Sequence, residues 1–155
     1  MIRQTKAEQA RQQGQRPQDI PNPPAKPPTE TQISLSVRKR AEKLGMLITR
    51  VNSGTISING RYVQLAAPGT ADLLGLVSVL TAIGRIGVFL ACEVKRPGNV
   101  PAAKQQEYLD RINAGGGIGL WATSADDFEH RLRAELSKRG WILIEPVKHR
   151  KKVPA

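Results

Sequence analysis

The chain has one cysteine, Cys92, so no disulfide can form within it. That cysteine lies inside an apolar run and reads as a small core residue, not a nucleophile. The two histidines, His130 and His149, stand far apart and in no metal-ligand spacing, which argues against a His/Cys zinc site. Apolar runs break off well before the roughly 20 residues that a membrane-spanning helix needs. The N-terminus carries charge but no apolar signal-peptide core. The expectation is therefore a protein of the cytoplasm, with no membrane partner. Acids are also scarce: 13 Asp+Glu face 24 Lys+Arg, giving a net charge of +11 and a pI of about 10.4. A small basic protein most often meets a polyanion, and nucleic acid is the usual one. Ribosomal and membrane-surface proteins share that signature, so charge alone selects no enzyme.

What is present suffices for one domain. The 155 residues are 39% apolar, enough for a real core. Residues 1–28 are rich in Gln, Arg, Lys and Pro and bury too little apolar surface to offset ordering entropy, so they read as a disordered basic arm. Residues 29–147 read as the folded domain and 148–155 as a basic tail. Thr29 and Gln32 form a capping-box pattern, and Ile33, Val37, Ala41 and Leu44 recur at helical spacing up to Gly45. A strand is expected over 46–52. Asn59-Gly60 between two alternating runs predicts a hairpin over 55–65. An apolar strand follows over 73–80, then a turn bracketed by Gly84 and Gly87, then a strand through 88–95. A helix over 102–113 packs through Tyr108, Leu109 and Ile112. A strand is expected over 118–123. A helix capped by Ser124 or Asp126 runs to about 139 with Phe128, Leu132 and Leu136 on one face, and a last strand covers 141–144. This order predicts an α/β or α+β domain with a mixed central sheet.

The chemistry concentrates at Gly69-Thr70-Ala71-Asp72 and Glu93-Val94-Lys95. Side chains alternate along a strand, so Glu93 and Lys95 share a face. Both are costly to bury without partners. Asp72, brought in by a neighbouring strand, would complete a site of two carboxylates and one ammonium. Such a pair suits a hard divalent cation, and the lysine suits a hydroxide nucleophile or a developing phosphate charge. The alternative is an edge-strand ion pair beside a turn aspartate.

Taken together these residues resemble a VRR-NUC nuclease, a branch of the PD-(D/E)xK superfamily common in phages. The resemblance covers about 29–132. It rests on Glu30 opening the first helix, Arg50-Val51-Asn52-Ser53-Gly54, Pro68 to Asp72, Glu93 to Gly98, Gln105 on the next helix, and Gly115-Gly116-Gly117. Ala71 stands where the family often has Pro, which alters only the turn. The family's usual Ser near the start of the Gln helix is missing from Pro101-Ala102-Ala103, which weakens the helix cap. The resemblance implies a restriction-endonuclease-like fold. It implies Asp72, Glu93 and the Val94 backbone carbonyl as metal ligands, for Mg2+ with Mn2+ able to substitute. Lys95 would activate the attacking water, Gln105 would contact the site, and Glu30 would reach the metal through water. It also implies a homodimer acting on branched or Holliday-junction DNA, in repair or recombination.

Arg38, Lys39, Arg40 and Lys43 crowd the first helix, and Arg50, Asn52 and Ser53 lie beside the expected site. With Lys148 and Arg150 of the tail they are candidate nucleic-acid contacts, suited to the phosphate backbone more than to base edges. A helical charge run is usually just a solvated face, and Asn52 and Ser53 are equally well read as an ordinary strand end. The function expected is a metal-dependent, structure-selective DNA endonuclease. A non-catalytic basic nucleic-acid-binding protein and a sequence-specific restriction-like nuclease remain open at this point.

Overall fold

The computed structural model describes residues 26–52 and 54–146. Most of the basic arm, Ser53, and the tail with Lys148 and Arg150 lie outside the described residues.

Helix α1 (Glu30–Lys43) starts where the capping box places it. The Thr29 hydroxyl accepts the Gln32 N–H at 3.3 Å, and the Thr29 N–H donates to Gln32 Oε1 at 2.9 Å. Ile33, Val37 and Ala41 form its buried stripe. Strand β1 (Leu47–Arg50) is shorter than expected, because Met46 belongs to the turn after α1 and Val51 has left the ladder. The Val51 N–H instead donates to the Asp72 carbonyl at 2.8 Å. Strands β2 (Gly54–Ile58) and β3 (Arg61–Ala66) pair only with each other. Asn59 and Gly60 have φ of 51° and 76°, the two successive positive values that a tight two-residue hairpin turn needs.

Strands β4 (Leu73–Thr81) and β5 (Gly84–Val94) form the longest ladder of the fold. Here the expected boundaries need correction. Gly84 and Gly87 do not bracket a loop, since the turn closes at the Thr81–Gly84 pair and Gly87 pairs with Ser78 inside the ladder. Gly87 makes room for a neighbour: a Cβ there would meet Leu76 Cδ1 at 3.1 Å. Helix α2 (Ala103–Ala114), strand β6 (Ile118–Ala122), helix α3 (Ala125–Lys138) and strand β7 (Ile142–Leu143) complete the chain. Ser124 caps α3, accepting the Asp127 N–H at 3.0 Å; Asp126 does not take that role.

The main sheet runs β1-β4-β5-β6, with β7 pairing β4 beyond the end of β1. Among the described residues only β5 and β6 are parallel, which is the consequence of α2 crossing between them. The domain is thus α+β, a mixed sheet flanked by three helices among the described residues, consistent with a restriction-endonuclease-like fold. Helices α1 and α3 cover one face. There Val37, Phe128 and Leu132 pack on Leu73, Val77, Leu90 and Val94. Arg40 ties the two helices together, reaching Asp126 at 2.8 Å and Glu129 at 2.6 Å. Helix α2 covers only part of the opposite face, packing Leu109, Tyr108 and Ile112 against Ala71, Leu74, Ala91 and Trp121. The row Leu47, Leu76 and Phe89 on that face stays substantially exposed.

Candidate active site

Glu93 is 1% exposed, and among the described residues it is the one fully buried acid. It stands on β5, between β4 and β6, so an edge-strand ion pair does not describe it. Alternation along β5 sends Cys92 and Val94 into the core beneath α1 and α3 and turns Glu93 toward the α2 face. The Cys92 thiol is fully buried, and burial pushes it well above its ordinary range, as for an inert core residue.

Three groups converge on the Glu93 and Asp72 carboxylates. Lys95 Nζ lies 2.8 Å from Glu93 Oε1, two residues along the same strand face. The Gln105 side-chain amide donates to the same Oε1. Gln105 is oriented by the start of its own helix, where its Oε1 accepts the Ala102 N–H at 2.9 Å. The helix lacks a hydroxyl cap, and Gln105 takes over one of the free backbone donors there. Gln106, its neighbour, turns away and donates to Asp110 at 2.8 Å. Asp72, just before β4, accepts the Val94 N–H through Oδ2 at 2.9 Å. The Val94 carbonyl, the expected third ligand, is therefore one peptide away from that contact. The turn delivering Asp72 is pressed against α2: Gly69 has φ of 91°, and a Cβ there would meet the Lys104 carbonyl oxygen at 2.9 Å.

The result is an acid with its two oxygens in unlike surroundings. Oε1 has Lys95 and Gln105, while Oε2 is buried with no hydrogen-bond partner among the described residues. Such an orphan acceptor is costly. Burial raises the Glu93 pKa above its ordinary value; the Lys95 hydrogen bond opposes this, and the negative charge of Asp72 adds to the rise. An oxygen-only donor pair with an unsatisfied acceptor fits a hard cation held by Asp72 and Glu93.

The other expected residues divide. Glu30 is exposed in the first turn of α1 and makes no direct third with Asp72 and Glu93, since no group of three or more His, Cys, Asp or Glu is gathered among the described residues. Arg40 is held by the α3 carboxylates. Lys43, Arg50 and Asn52 are exposed, and Arg38 lies 3.3 Å from Glu42. Ser53, Lys148 and Arg150 lie outside the described residues. One neighbour was not anticipated. Trp121 pairs with Glu93 across the β5–β6 ladder, and Arg131 lies 3.9 Å over its ring, held by Asp127 at 2.8 Å. Its only sequence signal was an aromatic in the strand after the glycine run, which core packing explains equally well.

Among the described residues no helix is long and apolar enough to cross a membrane. Comparison with protein-family models, curated proteins and solved structures gives no match to this chain.

Proposed function

We propose that this chain is a metal-dependent endodeoxyribonuclease that hydrolyses phosphodiester bonds, with branched DNA, four-way junctions included, as its substrate class. The observation that carries the reading is the buried Glu93 carboxylate, held on one oxygen by Lys95 and Gln105 and unpartnered on the other, beside Asp72. Asp72 and Glu93 would hold Mg2+, with Mn2+ able to replace it. The bound ion would neutralise the phosphate and lower the pKa of a water. Lys95 places a positive charge where negative charge builds in the transition state. Gln105 locks Glu93 in one rotamer, so its free oxygen keeps one direction. The net charge of +11 suits a phosphate backbone as partner. The exposed apolar row Leu47, Leu76 and Phe89 favours pairing of two copies, which would present two sites to two strands.

The test is a panel of end-labelled four-way, flapped, linear and single-stranded DNAs incubated with Mg2+, Mn2+, Ca2+ or EDTA. Branched DNA is cut fastest with Mg2+ or Mn2+, with little preference for flanking sequence. Ca2+ supports binding with little cutting. Undiminished cutting in EDTA sinks the mechanism, and cutting of linear duplex at one fixed short sequence sinks the substrate class.

A further inference from the structure

At the same end of the sheet as Asp72, but on the face covered by α1, lies a small cavity of about 130 Å³. Thr31, Ser34, Leu35, Arg38 and Arg50 line it. Thr31, Ser34 and Arg38 stand three and four residues apart and so share one side of α1. Arg50 is the last residue of β1, and it pairs with Leu73, the residue after Asp72. The next residue, Val51, donates its N–H to the Asp72 carbonyl. Arg50 and Asp72 therefore stand at the ends of neighbouring strands, about 5 Å apart across the ladder and on opposite faces of the sheet, with Glu93 one strand farther.

The polar groups in this cavity are poorly hydrogen-bonded among the described residues, although Arg38 has Glu42 as an ion-pair neighbour. Ser34 is only 4% exposed, yet its hydroxyl makes no hydrogen bond among the described residues, whereas Ser36 on the same helix bonds back to the Ile33 carbonyl at 2.7 Å. Arg38 Nε is buried and also without a hydrogen bond, since its 3.3 Å approach to Glu42 is an ion contact lacking hydrogen-bond geometry. Arg50 forms no ion pair among the described residues. Two hydroxyls from the first turns of α1, with the guanidinium groups of Arg38 farther along it and of Arg50 at the end of β1, make a set of donors for which Glu42, beside Arg38, is the one nearby acid among the described residues. The fitting ligand is a tetrahedral oxyanion with several acceptor oxygens.

We propose that this cavity is a phosphate-binding pocket that holds a backbone phosphate of the substrate strand near the one being cut. The choice of a nucleic-acid phosphate rests on the nuclease reading above; the affinity for phosphate itself does not. The strand crosses the end of the sheet, with one phosphate at Asp72 and Glu93 on one face and another at Arg38 and Arg50 on the other. The pocket fixes where along the strand the cut falls.

Two measurements test this with the full chain. In the first, inorganic phosphate is titrated at constant ionic strength while the arginine Nε–Hε resonances are followed by NMR. The Arg38 and Arg50 signals shift saturably, and Ser34→Leu, which fills the cavity, abolishes the shift while leaving the melting temperature near the parent's. In the second, branched-DNA binding is measured against salt in Ca2+ for the parent, Arg38→Gln, Arg50→Gln and the remote control Arg85→Gln. Each pocket variant loses about 0.9 from the slope of log K against log salt and binds at least fivefold more weakly, while the control loses less. Failure of phosphate to shift either arginine, or pocket variants that behave as Arg85→Gln does, overturns the proposal. A parent that binds phosphate saturably yet cuts no DNA leaves the pocket standing and removes the nuclease reading.

Discussion

The two faces of the sheet solve different problems. Under α1 and α3 the core is apolar, from Val37 and Phe128 down to Leu73 and Leu90, and polar groups stand at its edge, where Arg40 clasps Asp126 and Glu129 and where Ser34, Arg38 and Arg50 line the small cavity. Under α2 the same strands carry Ala91, then Glu93, then Lys95, and the cover extends over only part of the face. The centre of the first face serves packing. The other gives up burial and places an unsatisfied carboxylate in the interior, as expected of a site that acts on something else. The difference comes from register: one residue of slip along β5 would exchange Cys92 and Val94 for Glu93 and Lys95.

The largest test of this contrast is Phe128→Ala. Phe128 lies on α3, fully buried against the sheet, and its loss should cost about 3–5 kcal/mol of stability, read as a lower denaturant midpoint, with any metal-dependent cutting retained where the variant is folded. Asp72→Asn, Glu93→Gln and Lys95→Ala should show the reverse, each losing roughly 10²–10³-fold or more in cleavage rate. Far-ultraviolet circular dichroism should stay at the parent's. Should any of the three cut at the parent rate while folded, that residue leaves the mechanism.

A finer test uses pH. Glu93 has a folded-state pKa raised above its ordinary value, chiefly by burial, so the folded state binds its proton more tightly than the unfolded chain does. Its contribution to stability is present below the ordinary carboxylate pKa and is lost as pH rises through the raised value. Glu129 is the opposite case. The hydrogen bonds of Arg40 and then Arg133 hold its pKa down, so its contribution is present above the ordinary value and lost as pH falls through the lowered one. Glu93→Gln should therefore raise the melting temperature at pH values above the raised Glu93 pKa and flatten its fall with rising pH. Glu129→Gln should lower the melting temperature at neutral pH and remove part of the acid-side loss. The smallest effect expected is that of Arg40→Ala, a modest drop in melting temperature with unchanged cutting. A loss of DNA binding in that variant would return Arg40 to the nucleic-acid contacts.

Much of this was legible in the sequence because it is local. The capping box at Thr29, the Asn-Gly hairpin, the apolar stripes of α1 and α3 and the shared face of Glu93 and Lys95 all follow from spacing alone. Contacts between distant segments were not legible. Gln105 and Gln106 are indistinguishable by composition, and only the docking of α2 decides which of them meets Glu93. Arg40 read as one of a run of helix cations until α3 supplied two acids 86 and 89 residues away. The cavity beside Arg38 needed the end of β1 laid against α1. Gly87 looked like punctuation because a glycine that accommodates a cross-strand leucine and one that opens a turn are the same letter.

Gly119 is the second residue of β6, where a single added methyl group would collide with the backbone carbonyl of Leu109. Helix α2 therefore rests on the strand main chain itself, without side chains as spacers. The Asn113 side chain fastens that contact, donating to the Gly119 carbonyl and accepting its N–H, both at 2.8 Å. Gln105 rides on the same rigid helix, two turns earlier, with its amide on Glu93. The helix is a lever with its fulcrum at Gly119 and its working end at the acid. A methyl group inserted at the fulcrum would lift that end from the carboxylate with every site residue still in place.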